Sequence, residues 1–142
     1  MTSPPVRRAP LAAETVAFID VGTNSVRLTV VRLEPDHSWV VLTMQKETVR
    51  LGEGEFGAVR LLQPAAMERA ATVCARFVEL ARTHGATRFV AVATAATREA
   101  RNGTRFVRLV RETAGLGLHV VSGKEEARLV YLGLLSRVHV VG

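Results

Sequence analysis

An α/β domain, built as a mixed sheet with helices on its faces, is what the pattern of this chain predicts. Three observations carry that expectation. Three strand-like apolar segments come first, separated by turn residues, which favours an antiparallel meander. Strand-like and helix-spaced segments then alternate, which favours parallel strands with crossover helices. Finally, 142 residues with 48% hydrophobic content suffice for one domain with one core.

Residues 15–20 and 26–33 read as strands joined by a Gly-Thr-Asn-Ser turn, and Glu34-Pro35-Asp36-His37 is a second turn. Residues 39–50 read as a third strand, and the glycines of 51–57 mark a loop. Pro64 suits the first turn of a helix. Met67, Ala70, Cys74, Phe77, Val78 and Ala81 then recur at helical spacing until Gly85 stops them. Residues 88–93 form an apolar strand, followed by a short turn-plus-helix over 94–102 that Asn102-Gly103 breaks. A helix over 104–113, a strand over 118–121, a helix over 122–134 and the opening of a strand at 139–142 complete the order βββαβαβα, with five full strands. Because the last apolar segment has nothing after it, residues 14–142 are expected to be the first domain of a longer, truncated chain. Residues 1–13, with three prolines and Arg7-Arg8 but no long apolar run, are expected to be a disordered tail rather than a secretory signal.

Lysine and arginine number 19 against 13 acidic residues, a formal charge of +6. That balance favours polyanionic partners. The basic residues are scattered, and the few aromatics sit among apolar neighbours, so a single-strand nucleic-acid platform is not expected. The apolar runs are too short to cross a bilayer, and no membrane partner is expected. A lone cysteine, Cys74, excludes an internal disulfide and makes a cytoplasmic location the expectation. The four histidines show no metal-ligand spacing with one another or with Cys74.

The stretch Phe18-Ile19-Asp20-Val21-Gly22-Thr23-Asn24-Ser25-Val26-Arg27-Leu28 carries the most chemistry. An apolar run ends in a carboxylate, which can hold a metal ion directly or through water. The glycine admits a close ligand, and Thr, Asn and Ser add donors. The combination suits an oxyanion carried with a divalent cation, most simply phosphate with magnesium. The same residues are also ordinary hairpin formers, so both readings stand at this point. At the carboxyl end of the strand over 88–93, Ala93-Thr94-Ala95-Ala96-Thr97-Arg98-Glu99-Ala100 leaves room for a ligand, and Arg98 offers a planar fork to a phosphoryl group. In Ser122-Gly123-Lys124-Glu125-Glu126, Ser122 and Glu125 form a capping box. Glu126, about 100° further round the helix, is left as an ionised carboxylate at a helix start. Arg50-Leu51-Gly52-Glu53-Gly54 reads as a loop that could also serve as a lid or anion contact.

Together these segments, with Asn102, Leu129, Tyr131 and Gly133, resemble the exopolyphosphatase / guanosine pentaphosphate phosphatase family from about residue 15 to the end. The resemblance implies the actin-like, ribonuclease-H-like fold shared with sugar kinases. It also implies removal of terminal phosphate from inorganic polyphosphate, or of the 5′ γ-phosphate from pppGpp, using magnesium. By that resemblance Gly22, Thr23, Asn24 and Ser25 form the first phosphate loop, and Asp20 helps hold the metal through water. Arg98 contacts the transferring phosphoryl group, and Glu126 is the base that deprotonates the attacking water. The full-length protein is expected to be a homodimer. The family's second phosphate loop, Asp-x-Gly-Gly-Gly-Ser, falls after Gly142, so these 142 residues alone are expected to be half a site with little or no turnover. A non-hydrolytic phosphate or nucleotide-binding module of the same fold is the competing expectation.

Overall fold

The computed structural model describes residues 12–54 and 60–122. Residues 1–11 of the tail expected over 1–13, the helix expected over 122–134 beyond its first residue, Glu126 and the strand opening at 139–142 lie outside the described residues.

Among the described residues five strands form one sheet: β1 (Glu14–Val21), β2 (Ser25–Leu33), β3 (Trp39–Thr48), β4 (Arg88–Ala93) and β5 (Leu118–Val120). Their order across the sheet is β3-β2-β1-β4-β5. The first three make the expected antiparallel meander, while β1 with β4 and β4 with β5 are parallel. Three helices connect them: α1 (Pro64–Thr83), α2 (Ala95–Glu99) and α3 (Gly103–Ala114). The parallel pairs therefore arise where helices intervene, because only a long crossover can return the chain to the same end of the sheet.

Period-two alternation splits β1 between two faces. Ala17, Ile19 and Val21 join Val26, Leu28 and Val30 of β2 in the main core, against Met67, Ala70, Cys74 and Phe77 of α1 and Phe106 and Val110 of α3. Val16, Phe18, Val31 and Leu33 are buried on the other face, beside Val90. Burying one large side chain such as Phe106 contributes about 2–3 kcal/mol. β3 is at one edge of the described sheet. Its apolar side chains Trp39, Val41 and Met44 are exposed, which composition alone does not reveal.

Several local signals act as the sequence predicts. Pro64 occupies the first turn of α1, where its missing N–H costs nothing. Gly85 ends that helix at φ 88°, a left-handed conformation that glycine adopts without penalty. β3 stops at Thr48 rather than at Arg50. The amides of Val49 and Arg50 leave the ladder with β2 and both donate to the Asn24 carbonyl at 2.9 Å.

Candidate functional site

All five strands bring one set of ends to a single edge of the sheet: the carboxyl ends of β1, β3, β4 and β5 and the start of β2. Val21 pairs with Ala93, Ala93 with Val120, Val21 with Val26 and Ser25 with Thr48. Ligands of open α/β sheets gather at such an edge. The turn Gly22-Thr23-Asn24 connects β1 to β2 there, closed by a 2.9 Å bond from the Gly22 amide to the Ser25 carbonyl. A Cβ on Gly22 would lie 3.3 Å from that carbonyl oxygen, tighter than ordinary contact.

The turn is both a hairpin and a braced platform. The Thr23 carbonyl accepts from the Gly52 amide at 3.1 Å, while Asn24 accepts from Val49 and Arg50. Three donors thus fix the turn's carbonyls toward the β3–α1 connection. Thr23 and Asn24 themselves remain exposed. This contact assigns a place to Arg50-Leu51-Gly52, which reads from sequence as a loop. Leu51 is fully buried beneath it, and Arg50 adopts φ 49° to let the chain turn.

Asp20 is the last residue but one of β1, on the face opposite the main core, and pairs across with Arg27. Burial raises its pKa above its ordinary value, and the positive charge of Arg27 offsets this in part. Its Oδ1 is buried with no hydrogen-bond partner. Thr97 Oγ1, on α2, is in the same state. No other buried side-chain polar atom among the described residues lacks a partner, and both lie in strand-end motifs of this edge. Buried polar atoms without partners mark places where a ligand, ion or water completes the set.

Arg98 follows one helical turn after Thr94, whose amide donates to the Val21 carbonyl at 3.2 Å. α2 is thereby stitched to the end of β1. The guanidinium donates from Nη1 to the Val121 carbonyl at 3.1 Å and lies 3.5 Å from Glu99 Oε1 through Nη2. A guanidinium has five N–H donors, so most stay available to an oxyanion. The Arg98 side chain is 31% exposed, enough to meet a ligand.

Asp20, Gly22, Thr23, Asn24, Ser25 and Arg98 thus belong to one edge. Glu126 lies outside the described residues, four positions beyond Ser122, which follows the end of β5. Among the described residues no group of three or more His, Cys, Asp or Glu could hold a metal ion. A single carboxylate with a free oxygen suits a cation that keeps most of its waters, which is magnesium's habit. An open groove of about 590 Å³ between the end of β3 and α1 is lined by none of these residues. Its Arg69 is held by Glu53 at 2.8 Å and by the Val49 carbonyl at 3.1 Å, and its Arg76 pairs with Glu47.

Two residues carry more than their sequence signal suggests. Asn102 stands before α3 in the N-cap position but makes no side-chain cap. Its amide instead binds both backbone polar groups of Leu62, accepting from the N–H at 2.8 Å and donating to the carbonyl at 2.9 Å. Gly103 packs against the Thr97 carbonyl so closely that a Cβ there would lie 2.1 Å from its oxygen. An Asn-Gly pair reads as a helix break, and nothing local distinguishes a break from this packing.

No helix among the described residues is long and apolar enough to cross a membrane. Comparison with known proteins bears on the family. A model of the Ppx/GppA phosphatase family matches residues 29–141. The chain is similar to the solved PPX-GPPA enzyme of Aquifex aeolicus, with 30% identity over 80% of this chain and a TM-score of 0.73. It is also similar to an exopolyphosphatase from Cytophaga hutchinsonii, with 25% identity over 85% of this chain and a TM-score of 0.76. The chain spans 38% of the length of each. A nucleoside triphosphate hydrolase from Neospora caninum, 14% identical, covers 87% of this chain and 31% of its own at a TM-score of 0.54, a likeness of fold alone. The mixed five-stranded sheet with its helices is therefore an actin-like ATPase-type domain, and the chain belongs to the Ppx/GppA phosphatase family.

Proposed function

We propose that this chain is the first domain of an exopolyphosphatase, which removes terminal phosphate from inorganic polyphosphate by magnesium-assisted attack of water. The observation that carries the reading is the pair of buried, unpartnered polar atoms, Asp20 Oδ1 and Thr97 Oγ1, at the edge where the braced turn and Arg98 converge. The family covers phosphatases of this kind, and the net charge of +6 suits a polyanion.

In this reading the Gly22–Ser25 turn receives the terminal phosphate through backbone and short side-chain donors. Arg98 spreads its fork over the phosphoryl oxygens as charge shifts toward the leaving oxygen. Glu126 takes the proton of the attacking water. The water oxygen forms the new P–O bond, the terminal anhydride bond breaks, and the shortened chain leaves with its oxygen negative. Asp20 would hold magnesium, whose positive charge would offset that of the phosphate oxygens. Arg27 and burial set the ionisation of the Asp20 carboxylate that would hold it.

The full-length protein should release orthophosphate from polyphosphate in the presence of magnesium, and Glu126→Gln should lower kcat about a hundredfold while leaving polyphosphate binding intact. Binding without release from the full-length wild type would establish the non-hydrolytic module instead. Faster release from pppGpp than from polyphosphate would assign the nucleotide as substrate.

Asp20 gives a second test, read in stability. Because its folded pKa is raised, the folded state binds the proton more tightly than the unfolded chain does. Stability from this group is therefore present below the ordinary carboxylate range and is lost as pH rises through the raised value. Asp20→Asn should accordingly raise Tm near neutral pH. Added magnesium should raise the wild-type Tm and leave that of Asp20→Asn unchanged. An equal magnesium shift in both proteins would remove Asp20 from the metal site.

A further inference from the structure

We propose that Asn102 is a positioning residue for Arg98, acting through the segment Arg60-Leu61-Leu62. The inference rests on the phosphatase reading above and assigns a role to a residue outside the phosphate-contacting set.

The starting point is a side chain used against local expectation. Asparagine is among the best N-cap residues, and capping stabilises a helix by about 1 kcal/mol. Asn102 sits at the head of α3 and makes no cap. Both ends of its amide go 40 residues back along the chain to Leu62, with bonds of 2.8 and 2.9 Å in a half-buried setting. The neighbouring Arg101 amide donates to the Arg60 carbonyl at 2.9 Å. Three hydrogen bonds thus clamp residues 60–62 to the connection between α2 and α3. Leu62 anchors the clamp, being 1% exposed in the main core.

The clamped segment reaches the site from two directions. Forward, Arg60 Nη1 donates to Glu99 Oε2, and the other oxygen of Glu99 faces Arg98 Nη2. A carboxylate between two guanidinium groups is held in orientation only while both stay in place. The Arg101 amide holds the Arg60 carbonyl and Asn102 holds Leu62 two residues on, so Asn102 helps set where Arg60 stands, Arg60 orients Glu99, and Glu99 bears on Arg98. Backward along the chain, the same β3–α1 connection supplies the Val49, Arg50 and Gly52 amides that hold the Asn24 and Thr23 carbonyls. One connection is therefore tied at one end to the phosphate turn and at the other to the link that follows α2, the helix carrying Arg98. Asn102 makes the second tie.

A displaced guanidinium loses transition-state contacts more than ground-state ones, and a misplacement of about 1 Å costs roughly a hundredfold in rate. Asn102→Ala in the full-length protein should therefore lower kcat for phosphate release by about ten- to a hundredfold, with KM changed less than threefold. The discriminating measurement is a double-mutant cycle. In an Arg98→Ala background Asn102→Ala should change kcat by less than about twofold, since there is no guanidinium left to position. A residue that only supports the fold would lower kcat by the same factor in both backgrounds. Arg60→Met tests the same relay without touching the core, because the Arg60 side chain is 54% exposed, and it should lower kcat about fivefold with Tm unchanged. Equal factors in the two backgrounds, or unchanged kcat in both Asn102→Ala and Arg60→Met, would overturn the role. Absence of phosphate release from the wild type with either substrate would overturn the phosphatase reading itself, and this role with it.

Discussion

Arg98→Ala should lower kcat for phosphate release from the full-length protein about a thousandfold and leave its thermal stability nearly unchanged. The two halves of that expectation come from the same geometry. Arg98 projects from the short helix α2 at the sheet edge, anchored to the Val121 carbonyl at 3.1 Å and facing Glu99 at 3.5 Å. Its side chain is 31% exposed, so its removal opens no core cavity. An exposed ion pair of this kind contributes about 0–1 kcal/mol. Catalytically the same group is hard to replace. In phosphoryl transfer an arginine placed on the transferring group is worth about 10³–10⁵ in kcat, because charge develops on oxygens that the fork meets in fixed directions. Arg98→Lys separates charge from shape: it should recover about tenfold over alanine and no more, since an ammonium cannot reproduce two parallel donors. A kcat within threefold of wild type in Arg98→Ala would remove this residue from the reaction.

Much of the fold was legible because its signals are local. The meander needs only alternating apolar residues and turn formers, and β1 to β3 supply them. α1 carries its start in Pro64, its face in Met67, Ala70, Cys74 and Phe77, and its stop in Gly85. The motifs at the ends of β1 and β4 were legible as candidate sites for a related reason. Each combines an apolar strand with small polar residues where a strand must end, and the sheet order then brings Asp20, the Gly22–Ser25 turn and Arg98 to one edge. The remainder depends on partners distant in sequence. Asn102 looks like a helix break until Leu62 is set against it, and the loop Arg50-Leu51-Gly52 looks idle until its amides meet Thr23 and Asn24. Exposure of Trp39 and Met44 goes with the place of β3 at one edge of the described sheet, which is a property of topology. The raised pKa of Asp20 follows from its burial on a central strand, which an acidic residue in a sequence does not announce.

Gly103→Ala should be the most damaging single methyl in the described domain, lowering stability by about 2 kcal/mol and Tm by roughly 5–10 °C. Helix propensity argues the other way, since alanine in a helix is favoured over glycine by about 1 kcal/mol. Sterics decide the sign. The added Cβ would lie 2.1 Å from the Thr97 carbonyl oxygen and 3.2 Å from its carbon. These are backbone atoms at the centre of α2, so no side-chain rotation relieves the contact. α3 must lift from α2, and Phe106 and Val110, both fully buried one and two turns along α3, must lift with it. Gly115→Ala is the control. Its backbone is left-handed at φ 67°, but an added Cβ meets nothing within 4 Å, so its cost is conformational alone, about 1 kcal/mol. The comparison separates a glycine kept for space from one kept for backbone freedom. It also has a functional arm, because the helix that α3 is pushed against and loses as its packing partner, α2, carries Arg98. Below its Tm, Gly103→Ala should therefore release phosphate at least tenfold more slowly than wild type, whereas Gly115→Ala should match wild type. Equal stability losses at the two positions would show that α2 and α3 yield to the extra methyl.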